Sequence, residues 1–314
     1  MKKYKQQGLS LVELMVSLTL GLLVIAAVIY LFLSSKQTYI HTDRMVRMNE
    51  NGRYALGILS EDLRLADFWG EARTLDIQTD SNLDAVANDC SGVGQGYDFA
   101  TSFGAGTATS ASILDCIDDA VIGTDFLVVK HVASSPTAVG AISGDRTYIA
   151  SNVAKAILFD GDGKDPRPTT TPGGDVPNGQ FWEYNATIYY VRNDGSGVPS
   201  LQRRRLTGNT WGDPEEVAIG VEQLRVLVGV DTNNDGNTDA FVGSNDVSDW
   251  TQAVAARIYL LVRTEERDPY YTDIRQYLLG DNPIGPMNDN FHRVLFNTSV
   301  ALRNRRLSIA GGLE

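Results

Sequence analysis

Histidine and cysteine are scarce in this chain: three and two among 314 residues. The histidines, His41, His131 and His292, fall in different segments, and no H-E-x-x-H pattern occurs. No C-x-x-C pair and no G-x-S-x-G elbow is present. These absences remove the common zinc, thiol-redox and serine-hydrolase chemistries, and the chain reads as a non-enzyme. The histidines read as isolated surface or strand-edge residues. Basic charge is also in deficit, with 27 Lys+Arg against 39 Asp+Glu and a net charge of −12. A surface that tracks nucleic acid needs the opposite balance. Gly92-Val93-Gly94-Gln95-Gly96 has the glycines of a phosphate loop. It follows no clear strand and opens no helix, so it reads as linker.

Charge is missing most completely near the start. Residues 9–33 carry one charge, Glu13. A helix of that length exceeds a hydrocarbon core of roughly 30 Å. The eight residues before it contain Lys2, Lys3 and Lys5 and no acid. Beyond them 24 basic residues face 39 acidic ones, net −15. Lysines before the run and an acidic body after it put the N-terminus in the cytoplasm and the body outside.

Three readings of this start compete. A secretory signal has an apolar region of about 7–15 residues and a small-residue cleavage site; this run is longer, and Ser34-Ser35 offers no such site. A plain single-pass anchor leaves Glu13 unexplained, because a carboxylate at the centre of a span costs about 2.5–3.5 kcal/mol. The third reading accounts for it. Gly8-Leu9-Ser10-Leu11-Val12-Glu13 resembles the prepilin processing motif. The resemblance implies cleavage after Gly8 by prepilin peptidase and methylation of the new amine on Leu9. Glu13 of one subunit would then neutralise the amine of its neighbour, forming an assembly salt bridge. Gly21 lies inside the span, either as a close-packing position or as a weak point for unwinding.

Export bears on the two cysteines. In an oxidising compartment Cys90 and Cys116 most simply form one disulfide; in a reducing cytosol they would be free thiols. Closing a loop of that size contributes on the order of 3 kcal/mol in a chain-entropy account.

Apolar residues then recur at helical spacing from Gln37 to Trp69, with Gly70 as the expected C-cap. The expected organisation is a leader over 1–8, a membrane half-helix over 9–33 and an amphipathic half-helix over 34–70. A loop-rich region follows over 71–120, then a β-rich domain over 121–314. Within the last, strands are expected at 125–132, 146–150, 154–159, 181–192, 199–206, 215–230, 253–264 and 291–302. Residues 160–179 read as a Pro/Gly/Thr loop. The fold class is α+β, one long N-terminal helix packed on antiparallel strands.

Further stretches narrow the resemblance. Asn51-Gly52-Arg53-Tyr54-Ala55-Leu56, Phe68-Trp69-Gly70, Gly220-Val221-Glu222, Gly229-Val230-Asp231 and Leu302-Arg303-Asn304-Arg305 are similar to minor pilins of the PilW type. The resemblance implies a pilin-like fold and a structural role in priming type IV pilus assembly, at the filament tip in one arrangement. The partners implied are prepilin peptidase, other minor pilins, the major pilin and an inner-membrane assembly platform. Implied localisation is a single-pass inner-membrane protein with a periplasmic body, then the pilus. Two alternatives share the anchor: a minor pseudopilin of type II secretion, and a tip adhesin or DNA-uptake module with residues 71–120 as its contact.

One further pattern carries ligand chemistry. Asp231, Asn233, Asp235 and Asp239 stand at alternating oxygen positions with Gly236 sixth, the first part of a calcium loop. The twelfth position is Val242, not the bidentate glutamate, and a β-hairpin turn is the competing reading. Asp160, Asp162 and Asp165 form a poorer second set. No other cofactor is expected. The runs Arg203-Arg204-Arg205 and Arg303-Asn304-Arg305-Arg306 read as solvated or ion-paired residues split between strand faces.

Overall fold

The computed structural model describes residues 8, 10–164, 166–193, 195 and 197–305. The leader lysines, Leu9, Asp165 and Arg306 lie outside the described residues. The chain divides into two compact units, Met1–Arg47 and Met48–Glu314.

In the first unit residues from Leu11 onward form helix α1, which runs over Leu11–Leu65 as one continuous element through Gly21. The segment is long and apolar enough to cross a membrane. Its apolar side chains face outward all round, with Leu11, Leu14, Leu22, Ile25, Ile29 and Phe32 all more than half exposed. A helix satisfies all its backbone hydrogen bonds internally, which is what an apolar solvent demands.

In the second unit the helix is one-sided. Met48, Gly52, Ala55, Leu59 and Leu63 are buried at spacings of three and four, one stripe of a 3.6-residue period. Gly52 is a contact rather than an interruption: a Cβ there would overlap the Phe296 ring. The helix ends at Leu65, short of the expected boundary at residue 70. Asp67 turns into the left-handed region at φ 66° and its N–H donates to the Lys130 carbonyl. The helix therefore stops on a tertiary hydrogen bond, and Trp69 is freed to enter the core.

Among the described residues the strands form three sheets. The first contains β1 (Ile77–Thr79), β2 (Phe103–Thr107), β3 (Asp125–Val132), β4 (Thr147–Asn152), β5 (Lys155–Asp160), β6 (Gln180–Arg192), β7 (Ser200–Thr207), β8 (Thr210–Trp211) and β9 (Glu215–Ile219). The 13-residue β6 organises it, pairing with β4 near its start, with β3 through its middle and with β7 at its end. All pairs are antiparallel except β1 with β5. The second sheet is antiparallel in the order β11 (Ala240–Gly243), β10 (Val221–Val230), β12 (Ala253–Arg263), β15 (Arg293–Ala301). The third is a hairpin of β13 (Tyr277–Leu279) and β14 (Asn282–Ile284). The expected strand at 215–230 divides at Gly220, whose φ of +85° breaks the extended run.

Residues 71–120 are not one loop. They supply β1 and β2, and Phe103 and Ile117 from this region are buried. Ile117 shares one core cluster with Trp69, Trp182, Tyr184 and Tyr190, and Phe103 stands edge-on to Trp250. Trp69 stands edge-on to Phe99 and stacks on Tyr184.

Candidate functional site

The start of α1 carries a local device. Ser10 precedes the first helical residue, and its hydroxyl accepts from the Glu13 N–H at 3.2 Å. The Glu13 carboxylate reaches back to the Ser10 N–H at 3.0 Å. This is a capping box, which satisfies two of the four orphan N–H groups at a helix start. Glu13 thus has a partner within its own chain, in addition to the neighbour's amine that the processing motif implies. The Ser-x-x-Glu spacing before an apolar run is the sequence signal for it. Gly8 has no atom within 4 Å of a Cβ position.

Cys90 and Cys116 form a disulfide. Its surroundings explain why the loop it closes is ordered. Asp89 accepts from Cys90 N, Gly96 N and the Trp211 indole N–H. The Arg204 guanidinium donates to the Cys116 carbonyl, and the Tyr184 hydroxyl to the Gly96 carbonyl. The glycines at 92–96 lie in this closed loop, with a 3-10 turn over Gly92–Gly94.

Asp231, Asn233, Asp235 and Asp239 come together in the turn between β10 and β11. Asp231 is fully buried and accepts from Asp235 N and Gly236 N. Asn233 Oδ1 accepts from Asp235 N, and Asp235 Oδ1 from Asn237 N. Asp239 accepts from the Thr232 N–H and hydroxyl, which hold its carboxyl below the usual carboxylate range. Gly236 takes φ +80°, a conformation few side chains tolerate. Val242 lies in β11 opposite Val228 and faces a strand, not the turn. Elsewhere Asp160 and Asp162 join Asp80 and Asp84 around a small surface cleft, with Lys164 3.5 Å from Asp84 and 2.7 Å from Asp162.

The basic runs resolve into separate jobs. Arg203 and Arg205 share Glu215 on one face of β7, while Arg204 on the other face binds the Gly212, Trp211 and Cys116 carbonyls. Alternation along the strand does split this run. The second run lies outside a strand, because residues 303–305 form a helical turn. Asn304 donates to the carbonyls of Arg64 and Ala66, satisfying groups orphaned at the end of α1. Arg305 is buried and donates to the Ser102 hydroxyl. His131 is also buried, 3.9 Å from Asp62, and His292 stacks on Tyr271 with Asp268 at 3.0 Å. His131 is not the surface or strand-edge residue expected, because it is buried between β3 and α1, whereas His292 stands at a strand edge, directly before β15.

Two ion clusters brace the second sheet, each built on a buried carboxylate, Asp125 or Asp273, with partly exposed acids at the rim. Arg225 joins Asp125 of β3 to Asp281 at the hairpin turn. Arg293 joins Glu222, Asp273 and Asp289. Burial alone would raise the Asp273 carboxyl, but donors from Tyr277, Arg275 and Arg293 outweigh it and hold the group at about 2. Lys130 is fully buried in β3; desolvation lowers its amine to about 8 against the pull of Asp98.

Residues 3–29 match the prokaryotic N-terminal methylation motif. Residues 188–304 match the family of type IV pilus-assembly protein W, PilW. Among solved structures, a type IV-like pilin from Thermus thermophilus aligns over 82% of this chain and 98% of its own at 13% identity, with a TM-score of 0.37. A search of curated proteins gives no match.

Proposed function

We propose that the chain is a prepilin-like minor pilin of the PilW type, a reading supported by the two family matches, and that it primes type IV pilus assembly from the inner membrane and then stands at or near the filament tip. Its role is structural. The observation that carries this reading is Glu13, the one charge in an outward-facing apolar helix, placed five residues after the expected cut at Gly8. Prepilin peptidase removes the leader after Gly8 and methylates Leu9. The 9–33 span then stores the subunit in the bilayer, and docking against a neighbour pairs Glu13 with that neighbour's amine. Lateral contacts to other minor pilins and to the major pilin fall to the strand-rich unit. A deletion strain scored for surface pili and retraction-dependent motility tests the role: loss of both is expected. Intact pili with lost export of secreted enzymes would transfer the chain to a type II secretion pseudopilus.

The turn between β10 and β11 is proposed as a calcium site, with Asp231, Asn233, Asp235 and Asp239 as ligands. The converging oxygens of one tight turn support it. Calorimetry should show a heat of calcium binding that Asp231→Ala abolishes; an identical trace for both proteins would remove the site.

A further inference from the structure

Residues 264–292 leave the second sheet after β12 and return to it as β15. This excursion is pinned from within. Asp273 is fully buried and accepts from the Tyr271 and Tyr277 hydroxyls and from Arg275 and Arg293. Its N–H donates to the Asp289 carbonyl, and its carbonyl accepts from Asn288 N. Then β13 and β14 pair around Gly280-Asp281, with Tyr277 opposite Ile284 and Leu278 opposite Pro283. Tyr277 and Leu279 pack inward on Leu261.

Successive residues of an antiparallel strand direct their backbone groups to opposite sides. Asp273, Tyr277 and Leu279 use theirs toward the 282–289 segment. Thr272, Ile274, Gln276 and Leu278 therefore direct theirs outward. Pro283, which has no N–H, stands opposite Leu278 and agrees with that register. Among the described residues these four have no backbone partner on the outer side, and β13 pairs with β14 alone. Their side chains are exposed too, Ile274 by 73% and Leu278 by 62%, beside Tyr270 at 88%. Natural edges are usually blunted by charge, proline or a covering segment. The outward positions 272, 274, 276 and 278 carry no charge and no proline, while Arg275 between them is half exposed and reaches back to Asp273.

We propose that this edge accepts an extended segment of a different filament subunit, added as a third strand beside β13. The proposal rests on the filament reading above. A row of backbone donors and acceptors at strand spacing selects a polypeptide strand. Tyr270, Ile274 and Leu278 call for apolar residues at alternate positions of that strand. Charge selects against a second copy, because without its leader each chain is net −15.

The test is a photo-crosslinking amino acid at Gln276 of the full chain, in cells assembling filaments, with exposed Val153 as the control position. The Gln276 probe should capture a second, distinct prepilin-like chain identified by its peptides, and the Val153 probe should not. Adding Ile274→Lys and Leu278→Lys should lower the adduct at least tenfold, while leader removal and the Cys90–Cys116 disulfide stay intact. An adduct with this chain alone, no adduct, or an undiminished adduct in the lysine variant overturns the proposal. Wild-type piliation in the deletion strain would instead overturn the filament reading, so the two failures are distinguishable.

Discussion

The two halves of α1 are equally helical and put their apolar residues to opposite uses. Up to Ile40 the large side chains face outward all round. From Met48 onward they form one buried stripe. Hydrophobicity in the second half is satisfied within the chain; in the first half it needs a partner outside, a bilayer or neighbouring helices. A helix that is apolar all round belongs in a membrane or the core of an assembly, and one that is striped belongs on a sheet.

The sharpest way to break this contrast is to remove one leucine from each half. Leu59→Ala should destabilise the body by about 2–5 kcal/mol, because a fully buried leucine leaves a cavity. Leu22→Ala should leave the body's unfolding midpoint unchanged, since its side chain is 61% exposed. Thermal unfolding in detergent reads both; equal shifts would remove the distinction.

Glycines give a second, smaller contrast. Gly52→Ala forces a methyl into the Phe296 ring and should cost about 1–3 kcal/mol. Gly57→Ala meets open space and should stabilise by up to about 1 kcal/mol, the helix propensity difference. Denaturant midpoints of opposite sign are expected.

The third effect is electrostatic. The native Asp273 carboxyl is held at about 2, below its ordinary value of 3.8. Its contribution is therefore present above about pH 4 and is lost as pH falls toward 2. An acid titration of unfolding free energy should be less steep in Asp273→Asn over that window, although the variant is less stable at neutral pH. Parallel curves would assign the acid sensitivity to other carboxylates.

How much of this was legible follows from where each determinant lies. The long helix and the principal strands could be read, because periodicity and β-branched runs are local signals. The end of α1 could not, since it depends on Asp67 meeting the Lys130 carbonyl, 63 positions away. Strand β2, Phe103–Thr107, was hidden by its own composition: Phe-Gly-Ala-Gly-Thr reads as loop, yet the glycines let Phe126 and Val93 pack against the strand. The arginine run in β7 was legible through alternation. The roles of Asn304 and Arg305 were not, because helix capping at Leu65 and burial beside Ser102 are tertiary facts. At the N-terminus the charge of Glu13 was read and its capping bond to Ser10 was not, although Ser-x-x-Glu stands in the sequence.

That double use of Glu13 supplies the most direct test. Glutamine preserves a capping box and removes the charge. Glu13→Gln should therefore be cleaved after Gly8 and should keep its helix, yet fail to support surface pili, while Ser10→Ala, which loses the cap and keeps the charge, should still assemble. Wild-type piliation by Glu13→Gln would contradict the account, because it would show that the carboxylate serves the helix start and not a neighbouring subunit's amine.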